Sequence, residues 1–205
     1  MNYDKIADNK IIEKTITNLQ NNNFSSRLVK NKTEALSEIK KMISPGASIM
    51  NGSSVTLHEI GFIDYLKSNE HGWNNLHANI LSEKDADKQN KLRKESVLSD
   101  YFIVSAHAIT ENGEIIWASN SGSQLPHLVY TSQNIIIVVG TQKIVKNIEA
   151  GLDRIEKYVF PLEDERAKKL GWGGSLIAKL LILKKENPKM GRKINVILIP
   201  EKLGY

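Results

Sequence analysis

Residues 135–139, Ile-Ile-Ile-Val-Val, are β-branched at every position, and no other feature limits the fold of this chain so strongly. Branching at Cβ stiffens χ1 and suits the pleated surface of a strand. A strand that is apolar at successive positions has to be covered on both faces, as at the centre of a parallel sheet flanked by helices. The segments around it alternate as such a sheet requires. Residues 24–29 and 47–51 read as short strands, with a helix over 32–43 stopped by Ser44-Pro45-Gly46. A helix to about residue 67 carries Leu57, Ile60, Ile63 and Leu66 on its inner face, a charged helix covers 82–98, and a strand covers 101–106. The expected class is α/β with a mostly parallel sheet.

The ends of the chain read as additions to that core. Ile6, Ile11, Ile12, Ile16 and Leu19 approach helical spacing and give an N-terminal helical appendage. Asn112-Gly113 between apolar runs predicts a hairpin, with positive φ expected at both residues. A helix over 146–158 is expected to end at Pro161. The apolar runs 180–183 and 194–199, separated by residues 187–191, read as a C-terminal β-hairpin, with a helix over 175–184 as the alternative. The 205 residues suit one domain: an N-terminal helix within 1–23, a core over 24–170 and an extension over 171–205.

Composition removes several function classes. The chain has no cysteine, so it cannot itself supply thiolate nucleophiles, disulfides, cysteine-ligated zinc or iron–sulfur ligands. Its net charge of +5 comes from scattered lysines, and no basic run is interleaved with aromatics, so an anionic metabolite is expected as ligand and nucleic acid is not. The sequence has neither a signal-like start nor an apolar run of membrane-spanning length, so no membrane contact and a cytoplasmic location are expected.

Ligands of open parallel sheets bind beyond the carboxyl ends of the strands. Three loops should lie there. Gly52-Ser53-Ser54-Val55-Thr56 combines a small residue, hydroxyls and free N–H groups at a helix start, which makes either an anion cradle or an ordinary cap. Asn120-Ser121-Gly122-Ser123 is a second loop of the same kind, and Lys143 supplies a cation after the buried strand. Glu59, at capping-box spacing from Thr56, is either a general base or a reciprocal cap. His107 follows a strand end, where a titrating imidazole could exchange protons. Glu111 opens a Glu-Asn-Gly tripeptide of the type that carries the glutamate nucleophile of some CoA transferases, and it also fits a plain hairpin turn. No spacing of histidines and carboxylates points to a metal.

Taken in order, residues 52–61 (Gly-Ser-Ser-Val-Thr-Leu-His-Glu-Ile-Gly), 105–113 (Ser-Ala-His-Ala-Ile-Thr-Glu-Asn-Gly) and 139–145 (Val-Gly-Thr-Gln-Lys-Ile-Val) resemble the LUD domain family, which includes lactate-utilisation subunits of the LutC type. The resemblance spans roughly residues 10–165. It implies a three-layer α/β sandwich of the kind shared by sugar-phosphate isomerases and CoA transferases. It also implies a role in oxidation of lactate or another 2-hydroxy acid, beside iron–sulfur subunits. Isomerases of that superfamily carry a Gly-Ala-Asp type turn before an Asn-Gly hairpin; the matching stretch here, Ser105-Ala106-His107, has no acid. Many LUD relatives continue into a cysteine-containing tail, which Gly171-Trp172-Gly173-Gly174-Ser175 replaces here. No cofactor is expected on this chain. Three functions follow: an anion-binding LUD protein working with redox partners, a stand-alone CoA transferase or isomerase, and a non-catalytic structural or regulatory subunit. Self-association as a homodimer stays open.

Overall fold

A computed structural model describes residues 2–205. Its larger sheet holds β1 (Ser25–Leu28), β2 (Ser48–Asn51), β3 (Asn74–Asn75), β4 (Tyr101–Val104), β7 (Asn134–Gly140) and β10 (Lys193–Ile199). The spatial order is β1-β10-β7-β4-β2-β3, and every neighbouring pair is parallel. The smaller sheet holds β5 (Ala108–Thr110), β6 (Ile115–Ser119), β8 (Ile144–Val145) and β9 (Lys179–Leu183), in the order β8-β5-β6-β9.

β7 is an interior strand of the larger sheet, as its β-branched run requires, and its side chains divide with a period of two. Ile136 and Val138 join Ile49, Ile103, Ile197 and Ile199 beneath α2 (Lys32–Met42), α3 (Val55–Glu59) and α4 (Phe62–Lys67). Ile135, Ile137 and Val139 face the other way, toward Ile12 and Leu19 of α1 (Asn9–Asn21) and toward Ile109, Ile115 and Trp117 of the smaller sheet. Outside that sheet, Ala108 and Ile116 pack on Ile155 and the residues of α7 (Ile148–Arg154). Helices therefore cover the main sheet on both sides, in the three-layer α/β arrangement expected, with the small sheet let into one side. Two short helices, α5 (Leu76–Ser82) and α6 (Ala86–Glu95), follow β3 at the sheet edge.

Four local expectations need correction. The apolar runs near the C-terminus are strands but do not form a hairpin: β9 pairs antiparallel with β6, whereas β10 runs parallel between β1 and β7. Ile194, Val196 and Leu198 point to one core and Ile197 and Ile199 to the other, so β10 has the two-sided burial of an interior strand. The helix after Gly52 breaks into α3 and α4 at Gly61, which takes a left-handed φ of 77°. In the 111–113 turn only Gly113 has a positive φ, 84°, so Asn112 is not left-handed and the connection is a three-residue loop. Pro161 does not end its helix. Residues Ile155–Val159 widen into a π-turn, with Phe160 N–H bonded to the Ile155 carbonyl, and α8 (Phe160–Lys169) continues beyond. Proline sits in the first turn after that change of register, where its missing N–H is tolerated.

Candidate functional site

The carboxyl ends of β2, β4, β7 and β10 lie side by side, and each continues into a segment that reaches one buried cluster. From β7 the chain enters a 3-10 turn, Thr141–Lys143, which folds the Lys143 side chain inward until only 2% of the residue is exposed. Its Nζ donates to Thr56 Oγ1 at 3.1 Å and to Ser105 Oγ at 3.2 Å. Thr56 comes from α3 after β2, and Ser105 directly follows β4. The Ser105 backbone is fixed in turn by Trp117, whose indole N–H donates to the Ser105 carbonyl at 2.8 Å.

His107 is held by two bonds to the smaller sheet. Its N–H donates to the Ile116 carbonyl at 3.1 Å, and its Nδ1 accepts the Ala118 N–H at 3.0 Å. A ring whose Nδ1 accepts must carry its proton on Nε2 when neutral. Burial, with Lys143 and Arg154 close by, pushes the His107 pKa down to about 3, so the neutral ring persists at ordinary pH.

Arg154 closes the cluster from the α7 side. It is fully buried, and its side chain donates to the His107 carbonyl at 2.7 Å, while Nε and the other terminal nitrogen have no partner. Its guanidinium lies 5.2 Å from the Tyr158 ring centre. Among the described residues, neither Lys143 nor Arg154 forms an ion pair. Desolvation and the Arg154 charge lower the Lys143 pKa to about 7, against a smaller opposing pull from Glu59. Two unpaired cations with spare donors under cover are costly alone and are the parts of an anion site.

Residues 203–205 lie across the cluster like a strap. The Leu203 carbonyl accepts from Thr56 Oγ1 at 3.2 Å and from Gln142 Nε2 at 2.8 Å, and the Gly204 N–H donates to Glu59 Oε2 at 2.6 Å. The Tyr205 hydroxyl donates to Glu163, which also chelates Arg166 through bonds of 2.8 and 2.9 Å. Gly204 has a φ of 57°, and a Cβ there would lie 2.6 Å from Thr56 Oγ1 and 3.3 Å from Lys143 Nζ. Gly140 is needed for the same crossing, since a Cβ would meet the Glu201 carbonyl at 2.5 Å. An open groove of about 250 Å³ runs beside the cluster, between Tyr3, Ile6, Ile144 and Lys146, with Gln142 in its wall.

The structure thus gathers part of the expected set. Thr56, Lys143 and His107 converge, and Glu59 reaches the strap instead of capping Thr56. Ser54, not Thr56, caps α3, accepting the Leu57 N–H at 3.4 Å, and a helix of this length offers no anion cradle of its own. Ser53 is exposed and accepts from Arg166 at 3.3 Å. Gly52 lies within 3.4 Å, from a built Cβ, of the Gln124 side-chain oxygen, and that is where the loop over 120–124 approaches. The polar groups of that loop are otherwise engaged locally. Asn120 offers its carbonyl to Lys179 at 3.0 Å, Ser121 and Ser123 bond each other at 3.0 Å, and Gly122 donates to Ser119. Glu111 stands at the far end of β5 from His107, paired with Lys14 at 2.8 Å. Among the described residues no cluster of three or more histidines and carboxylates could hold a metal ion.

Ser105, Gln142, Arg154 and Glu163 were not anticipated. For Arg154 a signal existed: it falls three residues after Gly151, which packs on Ala108 and Ile116, so helical spacing places it on the covered face. A model of the LUD domain family matches residues 12–199. The crystal structure of a DUF162 family protein from Deinococcus radiodurans is similar over 95% of this chain and 99% of that one, with a TM-score of 0.55 at 12% identity. No curated protein sequence matches the chain.

Proposed function

Because the chain belongs to the LUD domain family, we propose that it binds a small anionic metabolite in the utilisation of lactate or another 2-hydroxy acid, in the cytoplasm and beside iron–sulfur oxidoreductase subunits. The observation that carries this reading is the pair Lys143, from the turn after β7, and Arg154, from the end of α7, both buried and neither in an ion pair among the described residues. Burying an unpaired charge costs several kcal/mol, roughly, and a carboxylate placed between these two groups offsets that cost. Thr56, Ser105 and the His107 Nε2–H supply further hydrogen-bond donors, and a ligand enters by displacing the strap at 203–205. With no cysteine, this chain's part is to hold the acid, and electrons pass through a partner.

The transferase reading has less support, since the Glu111 carboxylate is neutralised by Lys14 and its hairpin packs under α1. Thermal melting against a panel of lactate, pyruvate, inorganic phosphate and acetyl-CoA tests the proposal. A 2-hydroxy or 2-oxo acid at a hundred times its Kd should stabilise the fold by about 2.7 kcal/mol. Both Lys143→Met and Arg154→Met should remove that gain. A melt unmoved by every acid, or raised as much in the two variants as in the wild type, would sink the reading.

A further inference from the structure

Building on the anion-site reading, we propose that Lys143 is a nucleophile whose amine condenses with the carbonyl carbon of a 2-oxo acid to give an imine, while Arg154 holds the acid's carboxylate. The reaction needs an amine with a free electron pair, shielded from water and from any carboxylate that would keep it protonated. Lys143 meets these conditions by position. It is 2% exposed, and its nearest polar partners are two neutral hydroxyls, Thr56 Oγ1 and Ser105 Oγ. An amine that donates its two hydrogens to two hydroxyls has its electron pair left over, pointing away from both. Burial and the Arg154 charge bring its pKa down to about 7, which leaves a large neutral fraction at physiological pH.

Other titratable groups around the amine fit the same chemistry. Among the described residues neither Glu59 nor Glu163 forms an ion pair with the amine: Glu163 is held by Arg166, and Glu59, at the exposed edge of the cluster, exerts a pull on Lys143 smaller than the opposing effects of burial and Arg154. His107 presents Nε2–H as a donor to a carbonyl oxygen. Arg154 has two unpartnered nitrogens, enough for a bidentate grip on a carboxylate. A carbonyl next to a carboxylate is therefore the substrate class, and it is the class that oxidation of a 2-hydroxy acid produces.

The step balances without an oxidant or reductant. The Nζ electron pair forms a bond to the carbonyl carbon, and the carbonyl π pair moves to oxygen, which takes one amine hydrogen. The resulting hydroxyl then leaves with the second amine hydrogen as water, and the nitrogen pair closes the C=N bond.

Trapping of the full chain with pyruvate and cyanoborohydride, read by intact mass and peptide mapping, decides the matter. The expected result is one reduced adduct per chain, located on the peptide containing Lys143, with surface lysines largely unmodified. Arg154→Met should lower the yield about tenfold, the effect of losing one charge-assisted contact. The wild-type peptide map locates the adduct even if Lys143→Gln fails to fold. Pyruvate binding by calorimetry without an adduct on Lys143 overturns the nucleophile and leaves the anion site standing. Neither binding nor adduct overturns both.

Discussion

Lys143 ties the chemistry of the site to the stability of the fold. Its folded pKa is about 7 against an ordinary value of 10.5, so between those limits the unfolded chain binds a proton that the folded chain does not. Stability contributed at this position therefore rises with pH from about 7 to 10.5, and the full burial penalty is present below 7. Lys143→Met should remove the dependence, gaining on the order of 2–3 kcal/mol more over the wild type at pH 6 than at pH 9 in urea unfolding. Equal differences at the two pH values would mean that the amine is not desolvated. Lactate, which has no carbonyl to condense with the amine, should raise the Lys143 pKa again when its carboxylate sits in the cluster, so its binding at pH 8 should take up a proton. Calorimetry in two buffers of different ionisation enthalpy measures that uptake. Lys143 was legible in the sequence because it follows a strand whose burial is unmistakable. Arg154 was harder, because an arginine in an amphipathic helix is usually solvated, and only the small Gly151 one turn earlier hints that this face is closed.

At the scale of elements, the strap and the 111–113 turn depend on glycines for different reasons. Gly204→Ala adds a Cβ 2.6 Å from Thr56 Oγ1 at a left-handed φ, so the strap should lift from the cluster. The expected outcome is tighter binding of a 2-oxo acid with a small loss of melting temperature; weaker binding would show that the strap is part of the site and not its cover. Gly113→Ala should cost about 2 kcal/mol or more, read by urea unfolding, because a Cβ there would lie 2.7 Å from the Asn18 backbone in α1. Asn-Gly betrayed this hairpin at once. What it concealed was α1 seated on top, where Asn18 and Asn22 donate to the Glu111 and Asn112 carbonyls at 2.8 and 2.9 Å. Local turn chemistry is written in neighbouring residues, whereas the partner that covers a turn can come from anywhere in the chain.

For the whole molecule the decisive fact is the position of β10. It lies between β1 and β7, so residues 193–199 join the first strand of the sheet to the rest. A chain ending at Arg192 loses the burial of Ile194, Val196, Ile197, Leu198 and Ile199. At about 1.5–3 kcal/mol for each buried side chain, that is as large as the roughly 5–15 kcal/mol by which most domains are stable. Such a truncation should lack a cooperative melt by circular dichroism, and a native-like transition would mean that β10 is dispensable. Periodicity revealed the long strands β7 and β10 but not this insertion, since pairing between distant strands leaves no local trace. The clue lay in β10 itself, apolar on both faces like β7, while β9 is half exposed at a sheet edge. The mostly parallel sheet covered on both faces followed from pattern; which loops close on one another had to await the packing of the sheet.

Where an acid binds tests the site most directly. A crystal structure of the full chain with a bound 2-oxo or 2-hydroxy acid should place the carboxylate within hydrogen-bond reach of the Arg154 guanidinium, with Lys143 Nζ beside the adjacent carbon and residues 203–205 displaced. An acid held only by surface lysines or in the groove beside Tyr3, with Arg154 still unpartnered and the strap in place, would contradict it.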